Sequence, residues 1–338
     1  MPGVGGTGGT PSDLPPAATC VPNPVPCAPT TLDSGISAPG TFHVQDGYLY
    51  WRNSPDHTDS SSRDPNSVVR LRLPDGVPEL VTSMDGVLSA IAVDATHVYV
   101  ADVMHGLARA PITGGAPEFI STYGAAVVAV DDTHAFFTSP DASAVVAVPK
   151  GGGDAIVIPS VSSPLFIAVD ATHVYWTTTD RESALLVYPL HRALKTGAGA
   201  PETLATLTMR PERLRVIDGS VYISASAEEA VTEPRGALLR VPVAGGEPVQ
   251  VATFPDTVSA FGADADRLYV ATCPTNAAPA TVYSVPSAGG PMTAIAQGGV
   301  CLKGVAVDAT NVYFADWGDY ETGSDVGAVL SANKCGCQ

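Results

Sequence analysis

The sequence predicts an all-β protein, a seven-bladed β-propeller built as one closed domain. One short pattern, clearest at residues 167–176, recurs along the chain. Its aspartate is found seven times, at Asp46, Asp94, Asp131, Asp170, Asp218, Asp264 and Asp308. These marker aspartates are 37 to 48 residues apart, a period typical of repeat architectures whose units stack to bury their apolar faces. A six- or eight-bladed ring is the less favoured count.

Each unit carries four short strand signals. In the fourth unit they are predicted at 165–169, 174–177, 184–189 and 203–206. A tight turn that starts at the marker aspartate joins the first two strands. Glycine pairs such as 114–115 and 245–246 join the last two strands in other units. Because glycine accepts the positive φ of two-residue hairpins, each unit is expected to form an antiparallel four-stranded blade.

The two ends of the chain differ from the repeats. Residues 1–28 are rich in glycine and proline, so we expect a flexible tether there and a single propeller domain over 29–338. The seventh unit shows no fourth strand signal after 328–331. A strand signal near Thr31 can supply it. The sequence therefore predicts a ring closed by an N-terminal strand, with no open sheet edge.

Six cysteines lie near the termini and in the last two units, at Cys20, Cys27, Cys273, Cys301, Cys335 and Cys337. No Cys-x-x-Cys spacing of a zinc site occurs, so we expect disulfides and an oxidising compartment. If the terminal strands pair, at least one bond should join Cys20 or Cys27 to Cys335 or Cys337. Pairing within each couple is the alternative.

Cys273 and Cys301 are expected to share one face of the propeller. Cys273 ends the second strand of unit six, and Cys301 precedes the first strand of unit seven. Loops between second and third strands emerge on the same side as the blade-to-blade crossovers, and we call this side the crossover face. A Cys273–Cys301 disulfide follows from the predicted topology.

Composition restricts the function. The chain has 338 residues, of which 45% are apolar, enough for a large core. It contains no apolar run of about 18 residues, so no membrane span is expected. The net charge of −17 argues against general nucleic-acid binding. The N-terminus shows no export signal; we expect that one preceded residue 1 in the native protein, and a lipid-anchored native form stays open.

Two repeat endings, Val-Tyr-Trp-Thr at 174–177 and Val-Tyr-Phe-Ala-Asp at 312–316, resemble those of the NHL and YWTD propeller classes. With the Ala-Gly-Gly connections, residues 30–334 are most similar to secreted propeller repeat proteins of unassigned function from myxobacteria-like soil bacteria. The resemblance implies the fold and an extracytoplasmic location. It implies no particular function, because propellers host lectins, hydrolases, lyases and scaffolds.

The candidate site consists of residues that break the repeat. Three positions before the marker aspartate, five units carry an apolar residue, whereas two carry His43 and Arg215. Arg213 and Lys303 stand two positions nearer the crossover face, and Arg210 lies in the adjoining crossover. In so acidic a chain, basic residues at one channel mouth suggest an anion site. The alternative is that each pairs with a nearby carboxylate such as Glu212.

Two aromatic residues outside the repeat, Trp317 and Tyr320, could stack on a sugar or a peptide side chain at the crossover face. Carboxylates in the same loops suit calcium, but their spacing matches no calcium loop, so we expect neither a metal nor a cofactor.

Catalytic motifs are mostly absent, and the Ser-x-x-Lys spacing at 331–334 is interpreted as chance because it lies at a strand end, where no helix would bring the two side chains together. The leading hypothesis is therefore a non-enzymatic, secreted or cell-surface binding protein, whose crossover face holds a protein or a small anionic or glycan ligand. One alternative is a lyase or hydrolase in which His43 acts as base and Arg215 stabilises an oxyanion. Another is a structural or assembly subunit of the cell surface.

Overall fold

The computed structural model describes residues 14–17, 25–53, 66–180, 186–228, 234–274, 278–318 and 326–336. In these residues the chain forms β-strands and no helix. The strands are arranged in seven antiparallel sheets of four. First strands of neighbouring sheets contact one another around a central axis, and the last sheet contacts the first. The predicted seven-bladed β-propeller is confirmed.

The strands of each blade are given from the axis outward. Those of blades one to three are β2 (Gly40–Gln45), β3 (Tyr48–Asn53), β4 (Ser67–Arg72), β5 (Glu79–Ser83); β6 (Leu88–Val93), β7 (His97–Asp102), β8 (Gly106–Pro111), β9 (Glu118–Ser121); β10 (Val128–Val130), β11 (His134–Ser139), β12 (Ala144–Pro149) and β13 (Ile156–Pro159). Those of blades four and five are β14 (Pro164–Val169), β15 (His173–Thr178), β16 (Tyr188–Leu194), β17 (Glu202–Leu207); β18 (Arg210–Ile217), β19 (Ser220–Ser226), β20 (Gly236–Pro242) and β21 (Val249–Phe254). Those of blades six and seven are β22 (Thr257–Ala263), β23 (Arg267–Cys273), β24 (Thr281–Pro286), β25 (Thr293–Gln297); β26 (Leu302–Val307), β27 (Asn311–Asp316), β28 (Val326–Asn333) and β1 (Thr30–Ser37).

The marker aspartate builds the turn between the first and second strands. In blade two, Asp94 Oδ1 accepts hydrogen bonds from the backbone N–H groups of Thr96 and His97, at 2.7 and 2.8 Å. Its Oδ2 accepts one from the hydroxyl of Tyr99 at 2.9 Å. An aspartate is suited to this position because its short side chain bonds to the backbone two and three residues on. The glycine pairs of the outer hairpins have positive φ, as at Gly114 and Gly115.

The ring closes as predicted. β1 pairs antiparallel with β28, from Thr30 opposite Ser331 to Ser37 opposite Val326. Before β1, the backbone N–H of Cys27 donates to the carbonyl of Ile295 at 3.0 Å, so this segment crosses the outer edge of blade six. Leu14 also packs against the core between blades five and six. The division of the chain at residue 28 stays a prediction.

One strand prediction is wrong. The third strand of unit four is found at Tyr188–Leu194, so only 188–189 of the predicted 184–189 belong to it, and 184–185 lie outside the described residues. The apolar run at 184–187 suggested the earlier position, but pairing with β15 decides the register. His173 at the turn end of β15 lies opposite Leu194. The third strand must therefore extend to the face opposite the crossovers, as in the other blades.

The core lies between neighbouring blades. Aromatic residues of the second strands are buried there, with Tyr175 and Tyr269 both 0% exposed. The Cys273–Cys301 disulfide is present, as predicted. Cys27 and Cys335 are each disulfide-bonded, but Cys20 and Cys337 lie outside the described residues, so their connectivity stays a prediction. Within the described ranges, no helix is long and apolar enough to cross a membrane.

Candidate functional site

Three of the repeat-breaking residues meet in the central channel. His43 on β2 and Arg213 and Arg215 on β18 line one cavity of about 20 Å³. The backbone places them there because each is on the innermost strand of its blade, in units one and five. Apolar residues of the same cavity include Phe42 and Phe261. On this scale the cavity holds about one water molecule.

His43 is 3% exposed and is fixed by one hydrogen bond. Its Nε2 lies 2.8 Å from the carbonyl oxygen of Ile91 on the neighbouring blade. Burial lowers the pKa of His43 to about 4; the bond to Ile91 opposes this shift, whereas the charges of Arg215 and Arg213 add to it. The imidazole is therefore neutral at pH 7. Its other nitrogen, Nδ1, is buried and has no hydrogen-bond partner among the described residues.

A third guanidinium, that of Arg52, belongs to this group and was not predicted from the sequence. Burial, followed by the charge of Arg213, lowers the pKa of Arg52 to about 10 and that of Arg215 to about 10. Burial also lowers the pKa of Arg213, and Glu212 opposes that shift. Arg52 belongs to blade one and Arg213 to blade five, so their side chains interact across the channel. Like charges thus converge in a space of low water content.

The Arg52 side chain reaches the innermost strand because of Gly40. The two residues are opposite each other in the β2–β3 pair, and a Cβ on Gly40 would lie 3.4 Å from Arg52 Nη2. The guanidinium occupies the space that a side chain on the inner strand would fill. Six positions before the other marker aspartates, the sequence has larger residues, such as Leu88 and Leu302. This exceptional glycine was a signal in the sequence that could have indicated Arg52.

Of the basic residues that could pair with Glu212, only Arg210 forms an ion pair with it among the described residues. Arg210 Nη2 lies 2.8 Å from Glu212 Oε1, and this arginine is 56% exposed at the rim. Burial raises the pKa of Glu212 despite the neighbouring cations, of which Arg210 has the largest effect. Within the described ranges, no carboxylate forms an ion pair with Arg52, Arg213 or Arg215. Among the described residues, these three guanidinium groups therefore form no ion pair, and the charge of Glu212 acts on Arg213 without direct contact.

Lys303 stands beside this group. Burial lowers the pKa of Lys303. The charge of Glu212 opposes this shift, and the charges of Arg210 and Arg213 add to it. Its ammonium group lies 5.5 Å from the ring centroid of Trp317. The indole N–H of Trp317 donates to the carbonyl of Pro39 at 2.6 Å, which fixes the ring at the crossover face. Tyr320 lies outside the described residues. Ligand contact by either aromatic stays a prediction.

The arrangement can bind an anion. It combines Arg52, Arg213, Arg215 and Lys303 with one neutral histidine. Among the described residues, no group of three or more His, Cys, Asp or Glu side chains could hold a metal ion.

A larger cavity, of about 1120 Å³, lies beside blade four and is lined by Trp176 and His191. Both ring nitrogens of His191 already face hydroxyl groups, those of Thr178 at 2.9 Å and Thr203 at 3.1 Å. This histidine is therefore satisfied within the fold, and the channel is the better candidate.

No protein-family model and no curated protein sequence matches the chain. Its structure is similar to that of a streptogramin B lyase, with a TM-score of 0.63 and 12% identity over 89% of this chain and 96% of the other. It is similar to a chain of a nidogen/laminin complex, with a TM-score of 0.51 and 17% identity over 67% of this chain and 89% of the other.

The WD40 propeller domain of Doa1 is also similar, with a TM-score of 0.58 and 10% identity over 89% of this chain and 95% of the other. These identities are low, so the similarities show the propeller fold alone. A β-propeller repeat protein, as the NHL and YWTD resemblance implied, is thereby supported.

Proposed function

We propose that this chain is a non-enzymatic binding protein, secreted or displayed on the cell surface, that holds an anionic ligand at the channel mouth of its crossover face. The ligand is a small molecule or a group of a glycan or protein partner. The observation that carries the proposal is the cluster of Arg52, Arg213 and Arg215, none of which forms an ion pair with a described residue. Burying an unpaired charge costs several kcal/mol, and a bound anion removes most of that cost.

The disulfides support the extracellular part of the proposal. Cys273 and Cys301 are bonded, and Cys27 and Cys335 are each half of a disulfide. Such bonds persist in oxidising compartments. One similar chain comes from a nidogen/laminin complex, which makes a protein partner a reasonable class for this propeller too.

A lyase or hydrolase is the second candidate, since one similar structure is a lyase and His43 has a free Nδ1 lone pair. However, a general base works best with a pKa near the working pH. The pKa of about 4 makes His43 a weak base at pH 7. Binding is therefore the function that the geometry favours.

The test is the variant Arg213→Met, because the positive charge of Arg213 repels those of both Arg52 and Arg215. Removing this unpaired cation should raise the stability of the unliganded protein by about 1–3 kcal/mol, since less charge is buried. The same change should abolish stabilisation by anions, which in the wild type is about 2.7 kcal/mol at 100 times the Kd. Chemical denaturation with and without phosphate, sulfate, citrate and anionic sugars measures both.

Arg72→Met is the matched control. It removes the same charge from an exposed position at the end of β4, and should leave anion binding unchanged. A loss of stability in unliganded Arg213→Met would mean that the protein itself satisfies the cluster, and the proposal would be wrong. Turnover by the wild type that His43→Ala abolishes would instead favour the enzyme.

A further inference from the structure

The channel site has an asymmetric set of hydrogen-bonding groups. Its charged side chains, Arg52, Arg213 and Arg215, can only donate hydrogen bonds. His43 contributes a group of the opposite kind. A carbonyl oxygen can only accept, so the bond of 2.8 Å to Ile91 places the proton of the neutral imidazole on Nε2. Nδ1 then carries a lone pair and is an acceptor.

That acceptor is buried and unused. Nδ1 of His43 has no partner among the described residues, and the side chain is 3% exposed. Leaving a buried polar atom unpaired is costly, so a ligand that donates a hydrogen bond to Nδ1 gains over one that cannot. Protonation of the ring does not remove this acceptor at pH 7, because burial keeps the pKa of His43 at about 4.

Resting on the anion-binding function proposed above, we infer that the ligand group is a hydrogen phosphate, a tetrahedral oxyanion that keeps one O–H. Its unprotonated oxygens accept hydrogen bonds from the guanidinium groups of the cluster, which form no ion pair with a described residue. Its P–OH matches the acceptor Nδ1 of His43. Sulfate has the same shape and charge but no proton, so it leaves Nδ1 unpaired or places an oxygen lone pair against it.

The size of the cavity agrees with this orientation. At about 20 Å³, the space lined by His43 accepts one hydroxyl-sized group, not a whole tetrahedral ion. Arg213 and Lys303 lie two residues nearer the crossover face along their strands than Arg215 and Val305. The P–OH therefore enters the cavity beside His43 and Arg215, and the remaining oxygens lie toward Arg213 and the mouth.

The experiment compares four anions by titration calorimetry at pH 7 and constant ionic strength. Phosphate and arsenate carry a proton, whereas sulfate and selenate do not. In the wild type, we expect phosphate and arsenate to bind about 10- to 100-fold more tightly than sulfate and selenate, the usual effect of one buried hydrogen bond. Equal or tighter binding of sulfate overturns the inference but leaves the anion-binding function intact. Absence of binding by all four ions, together with no effect of Arg213→Met on stability, overturns both.

Two substitutions at His43 distinguish loss of the hydrogen-bond acceptor from a general effect on folding. His43→Gln keeps a donor for Ile91 and an acceptor oxygen, so the preference for phosphate should remain. His43→Leu removes both, and the two kinds of anion should then bind within about threefold of each other. An unchanged preference in His43→Leu contradicts the inference. If this variant does not fold, the four-anion comparison in the wild type and in His43→Gln decides.

Methyl phosphate distinguishes two possible sources of the hydrogen phosphate group, a phosphomonoester and free inorganic phosphate. At pH 5 its monoanion still carries a P–OH, since the second pKa of such esters is about 6. Binding comparable to that of inorganic phosphate at the same pH supports a phosphomonoester as ligand. Binding of inorganic phosphate alone supports the free ion. Both results retain the hydrogen phosphate chemistry, and tight binding of dimethyl phosphate, which has no P–OH, opposes it.

Discussion

Single residues decide the chemistry of the channel. Gly40 leaves room for Arg52, and the carbonyl of Ile91 fixes the tautomer of His43. Neither Gly40 nor Ile91 has a charged side chain, and neither would bind the ligand with its side chain. Both act by position, since one leaves space beside the inner strand and the other supplies a fixed acceptor from the next blade.

His43 should make folding stability depend on pH. An unfolded histidine has a pKa of 6.5, and in the folded protein burial lowers the pKa of His43 to about 4. Between these values the unfolded chain binds one proton more, so stability falls as the pH decreases from about 6.5 to about 4. The loss attributable to His43 should reach about 3 kcal/mol. Denaturation curves of the wild type and His43→Gln across this range measure it; parallel pH profiles would contradict the assignment.

At the scale of elements, lysines connect neighbouring blades. Three of the four lysines follow the third strand of one blade and pair with the marker aspartate of the preceding blade. These pairs are Lys150 with Asp94 at 2.7 Å, Lys195 with Asp131 at 2.6 Å, and Lys334 with Asp264 at 2.8 Å. Each ammonium group also lies over the aromatic residue of that preceding blade's second strand. Burial raises the pKa of Asp131, but hydrogen bonds, first that of Lys195, outweigh it and the net pKa is lowered. The marker aspartate therefore serves both the turn and the contact between blades.

Lys334→Met tests this contact. Both side chains of the Lys334–Asp264 pair are 0% exposed. Removing the lysine leaves a buried carboxylate without its cation, which should destabilise the protein by about 3–5 kcal/mol. Lys303→Met is the matched control, because Lys303 forms no ion pair with a described residue and should change stability little or raise it. Equal losses in the two variants, measured by chemical denaturation, would show that the pair contributes nothing specific.

For the whole molecule, closure of the ring is the decisive feature. β1 covers the edge of β28, so strands from the two ends of the repeat region lie in one sheet. The Cys273–Cys301 disulfide adds a link between blades six and seven on the crossover face. An uncovered edge strand would present unpaired backbone groups to other chains. The fold thus needs the N-terminal strand for its solubility as well as for its stability.

Two truncations test the closure. Removing residues 1–37 deletes β1 and exposes β28, so this variant should associate or unfold at lower temperature. The variant that lacks residues 1–28 keeps β1, so it should elute from a sizing column as the full-length protein does. The two truncated variants and the full-length protein are compared under reducing conditions. Association of both variants would place the boundary of the folded domain before residue 29, because Cys27 and Leu14 also contact the propeller.

The sequence by itself determined the architecture, since the marker aspartates, glycine pairs and missing fourth strand each reflect local rules of turns and strand pairing. It also placed His43, Arg213 and Arg215 on inner strands, because the repeat gives every position an equivalent in the other blades. The third strand of unit four was misplaced because an apolar run does not report register. Only the tertiary structure decided which cations face one another across the channel, that Arg52 joins them, and that Glu212 pairs with Arg210 alone. These contacts join blades that are distant in the chain, and side-chain reach in a closed ring is not encoded in any local pattern.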